Sequence, residues 1–75
     1  LLYNHQKGDV AIKSNDIQRG YFDVILSSQH FHLTQDNCLE IVAVKGTAKR
    51  LTELSNMLIG IKGMIHGKLI MSRAE

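Results

Sequence analysis

The sequence contains no proline and no tryptophan, and in 75 residues it has one cysteine, two tyrosines and two phenylalanines. With no proline, punctuation between elements falls to glycine and to short polar clusters. A single cysteine excludes a disulfide within the chain. A lone thiol among histidines suits a reducing compartment, with the cytoplasm as the expected setting, and a metal or reactive role. No apolar run approaches the roughly 20 residues of a membrane-spanning helix, because Lys, His or Gly interrupts each candidate. The opening Leu1-Leu2-Tyr3 has no initiator methionine and no basic stretch leading into an apolar one. No signal peptide is visible, and further sequence is expected upstream. Nor is charge of one sign concentrated: nine Lys or Arg and seven Asp or Glu, net +2, are spread along the whole chain. That distribution argues against nucleic-acid binding by this segment.

What is present is enough for one small domain. The chain is 44% hydrophobic, near the lower limit of size that a single core stabilises. It has no repeat, low-complexity tract or linker. Leu1 to Asn4 reads as the end of a strand. Val10, Ile12 and Ile17 among polar residues give a weakly amphipathic helix from about Gln6 to Gln18. Gly20 punctuates, and the β-branched and aromatic stretch Tyr21 to Leu33 predicts a long strand. Thr34-Gln35-Asp36-Asn37 is a polar turn, and Cys38 to Lys45 is a second strand, so the two form a β-hairpin. After Gly46, Thr47 can cap a helix in which Ala48, Leu51, Leu54 and Leu58 fall at spacings of three and four, with Gly60 placed to stop it. After Gly63, Met64 to Met71 supplies a last strand.

The order β-α-β-β-α-β predicts an α+β, ferredoxin-like or ACT-like fold, an antiparallel sheet with both helices on one face. The other face should then be wet. Yet the hairpin strands alternate Val24 and Leu26 against Ile25, Phe31 and Leu33, and Val42 and Val44 against Leu39, Ile41 and Ala43, so both faces are apolar. A one-sided sheet normally alternates cleanly. The surplus face implies burial against another copy of the chain.

The chemistry concentrates in Gln29 to Glu40. His30 and His32, two apart on a strand, point to the same face about 6.6 Å apart along the backbone, close enough for two imidazoles to converge on one ion. If Phe31 pairs with Ile41 and Leu33 with Leu39, the apolar residues share the helix-covered face, and His30, His32, Cys38 and Glu40 are gathered on the opposite one. Two imidazoles and a thiolate suit nickel, copper or zinc; magnesium or calcium would want oxygen. Three ligands fall one short of four. The plainer alternative is that the histidines are ordinary surface residues and Cys38 a small buried hydrophobe. Neither an oxyanion hole nor a third orienting group accompanies the Cys-His pair, so catalysis is not expected.

The run His30-Phe31-His32, a polar turn with Asp36, then Cys38-Leu39-Glu40-Ile41, closely resembles the metal-site hairpin of NikR-type nickel-responsive transcriptional regulators. The likeness extends to Tyr3-Asn4-His5, Gln18, Asp23, Lys62-Gly63 and His66-Gly67-Lys68-Leu69, nearly the whole chain. It implies a C-terminal ACT-like regulatory domain, residues 1–75, that assembles a homotetramer, with a DNA-binding ribbon-helix-helix domain upstream. It also implies a nickel site at a subunit interface, in which His30, His32 and Cys38 match three of four ligands. Glu40 and Gln18 could then hydrogen-bond to the ligand imidazoles, with a plain helix-end role equally open for Gln18, and Tyr3 could join that network through its hydroxyl or serve simply as a core aromatic.

The fourth ligand of the family, a histidine from the neighbouring subunit, falls on Arg19. A guanidinium has no available lone pair and stays protonated, so Arg19 cannot be a metal ligand. Three arrangements remain open. Water, His5 or another group completes the shell; or Arg19 places a fixed cation beside Cys38 and Glu40, giving a metal-independent tetramer; or Arg19 points to solvent and the site is degraded. An ACT-like domain that senses a small molecule, or one that only oligomerises, is the rival from another class.

Overall fold

The computed structural model describes residues 1–6 and 8–72. Its elements run β1 (Leu2–Asn4), α1 (Asp9–Arg19), β2 (Ile25–His32), β3 (Asn37–Val44), α2 (Ala48–Ile59) and β4 (Met64–His66). They form one four-stranded antiparallel sheet in the order β2-β3-β1-β4. Tyr3 and Cys38 of the sheet, Val10 of α1 and Leu54 and Leu58 of α2 share a single buried core, so both helices lie on one face. The expected α+β, ferredoxin-like architecture is the observed one.

Each element has a local cause, and some are shorter than the sequence pattern suggests. The helix α1 starts three residues after Gln6, at Asp9, because Gly8 precedes it without a side-chain cap; Lys7 lies outside the described residues. Its inward stripe is Val10 and Ser14, both buried, with Ile17 and Gln18 half-buried, whereas Ile12 is exposed. Two polar residues thus point at the sheet. The strand β2 begins at Ile25 rather than Tyr21, because backbone bonds from Tyr21 to Gln18 and from Val24 to Tyr21 hold the preceding residues in turns. Arg50 fixes that bend. Its Nη2 lies 2.6 Å from Asp23 Oδ1, and its guanidinium stacks 4.4 Å from the Tyr21 ring centroid.

The helix α2 runs as its pattern dictates, with Thr47 Oγ1 accepting from the Arg50 amide at 3.2 Å and Leu54 and Leu58 buried. The strand β4 stops at His66 instead of reaching Met71. Its pairing partner β1 has three residues, and a strand lasts only as long as its partner offers hydrogen bonds. Gly63 turns the chain into β4 at φ 103°, and a Cβ there would lie 2.8 Å from Val10 Cγ2. Gly63→Ala is therefore expected to lower stability by about 1–3 kcal/mol through backbone conformation alone. A shift in the urea midpoint checks this, and an unchanged midpoint would contradict it.

The hairpin register differs from the expected one. Phe31 stands opposite Leu39, Gln29 opposite Ile41, His30 opposite Glu40 and His32 opposite Cys38, a shift of two residues. Because side chains alternate with period two, an even shift leaves each residue on its face. What reverses is which face the helices cover. Tyr3, Cys38 and Glu40 point under the helical layer and are 2–3% exposed, while Phe31 and Ile41 on the other face are 44% and 50% exposed. The expectation that Phe31, Leu33, Leu39 and Ile41 lie beneath the helices is corrected. The ligand face is the covered one, and the apolar stripe is the bare one.

Candidate metal centre

Glu40 organises the covered face. Its carboxylate, 1% exposed, accepts from Ser28 Oγ at 2.7 Å, Gln18 Nε2 at 2.9 Å and Ser14 Oγ at 3.4 Å. Gln18 Nε2 also donates to Ser14 Oγ at 3.0 Å. A buried charge requires such partners, and two of them are the inward polar residues of α1. On the open side, His30 Nε2 lies 3.6 Å from Glu40 Oε2, an ion pair when the imidazole is protonated. Gln18 therefore holds Glu40, and Glu40 faces His30; the expected direct bond from Gln18 to an imidazole is replaced by this relay. Ser14 and Ser28 were not singled out in the sequence. Their signal is parity: Ser28 is two before His30 on one strand face, and Ser14 is four before Gln18 on one helix face.

Cys38 is a free, buried thiol whose Sγ lies 3.9 Å from the Leu39 carbonyl oxygen. His32 is its cross-strand neighbour on one side and Tyr3 on the other. Directly opposite residues have Cβ atoms about 4.5–5.5 Å apart. Burial, then the negative charge of Glu40 and of Cys38, pushes the Tyr3 phenol well above its usual range. The folded state thus favours neutral Tyr3. No penalty arises below the unfolded value of about 10, and stability falls as pH rises beyond it. Alkaline titration is expected to unfold the chain with a step in tyrosine absorbance, and Tyr3→Phe to remove much of that dependence.

His5 follows β1. Its amide donates to Asp36 O at 2.9 Å, its Nε2 lies 2.6 Å from Gln35 O, and its ring meets that of His32 edge-on, with centroids 5.1 Å apart. Arg19, the last residue of α1, is 83% exposed at its side chain and reaches Asp16 Oδ1 at 3.6 Å. Within one chain it forms no ion pair with Glu40 among the described residues, so a fixed cation beside Glu40 is not realised there.

The sheet thus places His30, His32, Cys38 and Glu40 on one face at opposed positions. Among the described residues, no three His, Cys, Asp or Glu side chains converge closely enough to hold an ion as they stand. The donors fit a late first-row ion in kind, two imidazole nitrogens and a thiolate sulfur, and rotamer changes would have to bring them together. No helix is long and apolar enough to cross a membrane among the described residues.

Residues 1–72 match the family described as the NikR C terminal nickel binding domain. Proteins named "Putative nickel-responsive regulator" are similar over the same stretch. That of Thermococcus kodakarensis is 47% identical over 72 residues, covering 96% of this chain and 52% of the relative. That of Syntrophus aciditrophicus is 52% identical over 71 residues, covering 95% and 52%. That of Pyrococcus abyssi is 44% identical over 72 residues, with coverage of 96% and 52%. The chain spans about half the length of these curated relatives.

Proposed function

From the premise that this chain belongs to the NikR C-terminal nickel-binding domain family, we propose that it is the metal-sensing regulatory domain of a nickel-responsive, DNA-binding transcriptional regulator of the cytoplasm. His30, His32 and Cys38 are its metal ligands. Glu40 orients His30, and Gln18 and Tyr3 hold the surroundings of Glu40 and Cys38. The observation that carries the reading is the hairpin register, which sets His30 against Glu40 and His32 against Cys38 on one face. Nickel, when bound, would supply a cation that draws imidazoles and thiolate to one point, and copper or zinc suits the same donors. The protein's part is to keep Cys38 buried, His30 aimed, and the open edge of β2 free for a neighbour.

Oligomerisation follows from the bare sheet face, where Phe31, Leu33 and Ile41 are exposed. A homotetramer with the metal near a subunit interface would couple occupancy to the arrangement of subunits. The half of the relatives' length that this chain does not span would carry the DNA-binding domain, with metal and operator each raising the other's affinity. The second reading, a metal-independent oligomerisation or small-molecule-sensing domain, is favoured by one observation. Arg19, at the position the family resemblance gives to the neighbour's histidine, offers no lone pair.

Nickel titration of the reduced protein, with oligomer mass followed by sedimentation, tests the proposal. One equivalent bound per chain at micromolar nickel in a tetramer supports it. A tetramer that binds no nickel supports the second reading.

A further inference from the structure

The strand β3 has eight residues, but β1, its partner on the side away from β2, has three. They meet at Leu2–Leu39, Tyr3–Cys38 and Asn4–Asn37. One step further, Leu1 and Glu40 exchange both backbone bonds, Glu40 N to Leu1 O at 2.7 Å and Leu1 N to Glu40 O at 2.9 Å. The ladder is thus doubly bonded at Leu1, and the next four residues of β3, Ile41 to Val44, run on beyond it. Backbone groups of an antiparallel strand face its two neighbours in alternation. Because Glu40 faces β1, the amides and carbonyls of Val42 and Val44 point to the same side.

That side opens on a groove of about 490 Å³ between β3, α2 and the segment after β4, lined by Val42, Val44, Leu54, Leu58, Leu69 and Ile70 among others. A single water has a share of only about 30 Å³, so the groove has room for side chains. It is the continuation of the lane that β1 occupies, since β1 lies between β3 and β4 and pairs Leu2 with both Leu39 and His66. β4 ends at His66, where β1 runs out, although the apolar sequence pattern continues to Met71.

We infer that the residues immediately preceding Leu1 in the longer protein fill this groove as a continuation of β1, pairing with Ile41 to Val44 on one side and with Lys68 to Ile70 on the other. The matched stretch is 52% of the Thermococcus kodakarensis relative, whose remaining length is ample for such a segment. An occupant already joined to Leu1 has its register set and needs no association step, whereas a second copy's strand would have to insert against that chain end. Leu1 packs on the core beneath the helices. By the same alternation the second residue before it lies over Leu54 and Leu58 and is expected to be apolar. The upstream half is then joined to this domain through the middle of the sheet, along the strand that leads to Tyr3 beside Cys38, and not through a free linker. None of this depends on metal binding.

The test is amide hydrogen exchange, read residue by residue, on the full-length protein without metal. A variant with proline at the second position before Leu1, which cannot donate to Val42 O, is compared with wild type. In wild type the Val42 and Val44 amides are expected to exchange at least a hundredfold more slowly than exposed loop amides at every protein concentration. A close Hα–Hα contact should join Ile41 to the residue before Leu1. The proline should speed exchange at Val42 at least tenfold and leave His30 and His32 unchanged. Loop-like exchange at Val42 and Val44 would overturn the inference, and so would protection that is lost on dilution, the mark of a second copy's strand. Protection without the Ile41 contact would overturn it as well. If the proline variant does not fold, the wild-type contact at Ile41 decides. Failure of the metal-sensing reading shows separately, in the nickel titration.

Discussion

Cys38→Ser is expected to lower nickel affinity by more than a hundredfold and to remove the thiolate-to-metal absorption, while leaving the fold intact. The substitution exchanges one atom in a side chain that is 3% exposed, so core volume barely changes. The chemistry does change, because a thiol becomes a thiolate when a metal displaces its proton, and a serine hydroxyl does not ionise in that range. Groups that merely orient a ligand already cost 10–100-fold when removed, and loss of a ligand should exceed that. Isothermal titration of both proteins under reducing conditions decides it. Affinity within threefold of wild type would show that Cys38 is a core residue and not a ligand.

Glu40→Ala is expected to cost on the order of 3 kcal/mol of folding stability, large for a chain of this size, whose total should be roughly 4–11 kcal/mol. Its carboxylate is the shared acceptor of Ser14, Gln18 and Ser28. Hydrogen bonds to a charged group contribute roughly 1.5–3 kcal/mol, and donors stranded without water cost about 1–3 kcal/mol each. Glu40→Gln keeps one carbonyl oxygen as acceptor and should cost less. Urea unfolding of the three proteins measures the series. A loss below about 1 kcal/mol for Glu40→Ala would mean that water enters and satisfies the donors.

The order of elements and the grouping of the candidate ligands were legible in the sequence, and their depth was not. Spacings of three and four from Ala48 to Leu58 mark α2, and the parity of His30, His32, Cys38 and Glu40 puts them on one face under any even register. The register itself is set by the turn. Thr34 Oγ1 accepts from the Asp36 and Asn37 amides, and Leu33 N bonds to Asn37 O. These local bonds close the loop two residues earlier than apolar matching suggests. Hydropathy alone favours the opposite covered face, because Glu40 is charged and Leu39 and Ile41 are not, which points Glu40 outward; in the fold Glu40 is buried and Ile41 is exposed. The polar residues on the inner stripe of α1 were the missing clue. Ser14 and Gln18 make sense only opposite a buried charge. Arg19 is plain in the sequence, but its engagement with Asp16 depends on where α1 ends.

The place of β1 in the sheet also bears on the order in which the molecule assembles. Although it comes first in the chain, β1 lies between β3 and β4, pairing Leu2 with Leu39 and with His66, contacts that close long stretches of chain. The β2–β3 hairpin needs only its own turn. Local pairings form fast and distant ones slowly, so His30, His32 and Cys38 should share a hairpin while Tyr3 is still unattached and the thiol uncovered. Transition-state analysis should then give higher φ-values in β2 and β3 than in β1. A newly made chain would meet metal through this early hairpin and bury its sulfur only once β1 joins β3, a step that must precede the docking of β4.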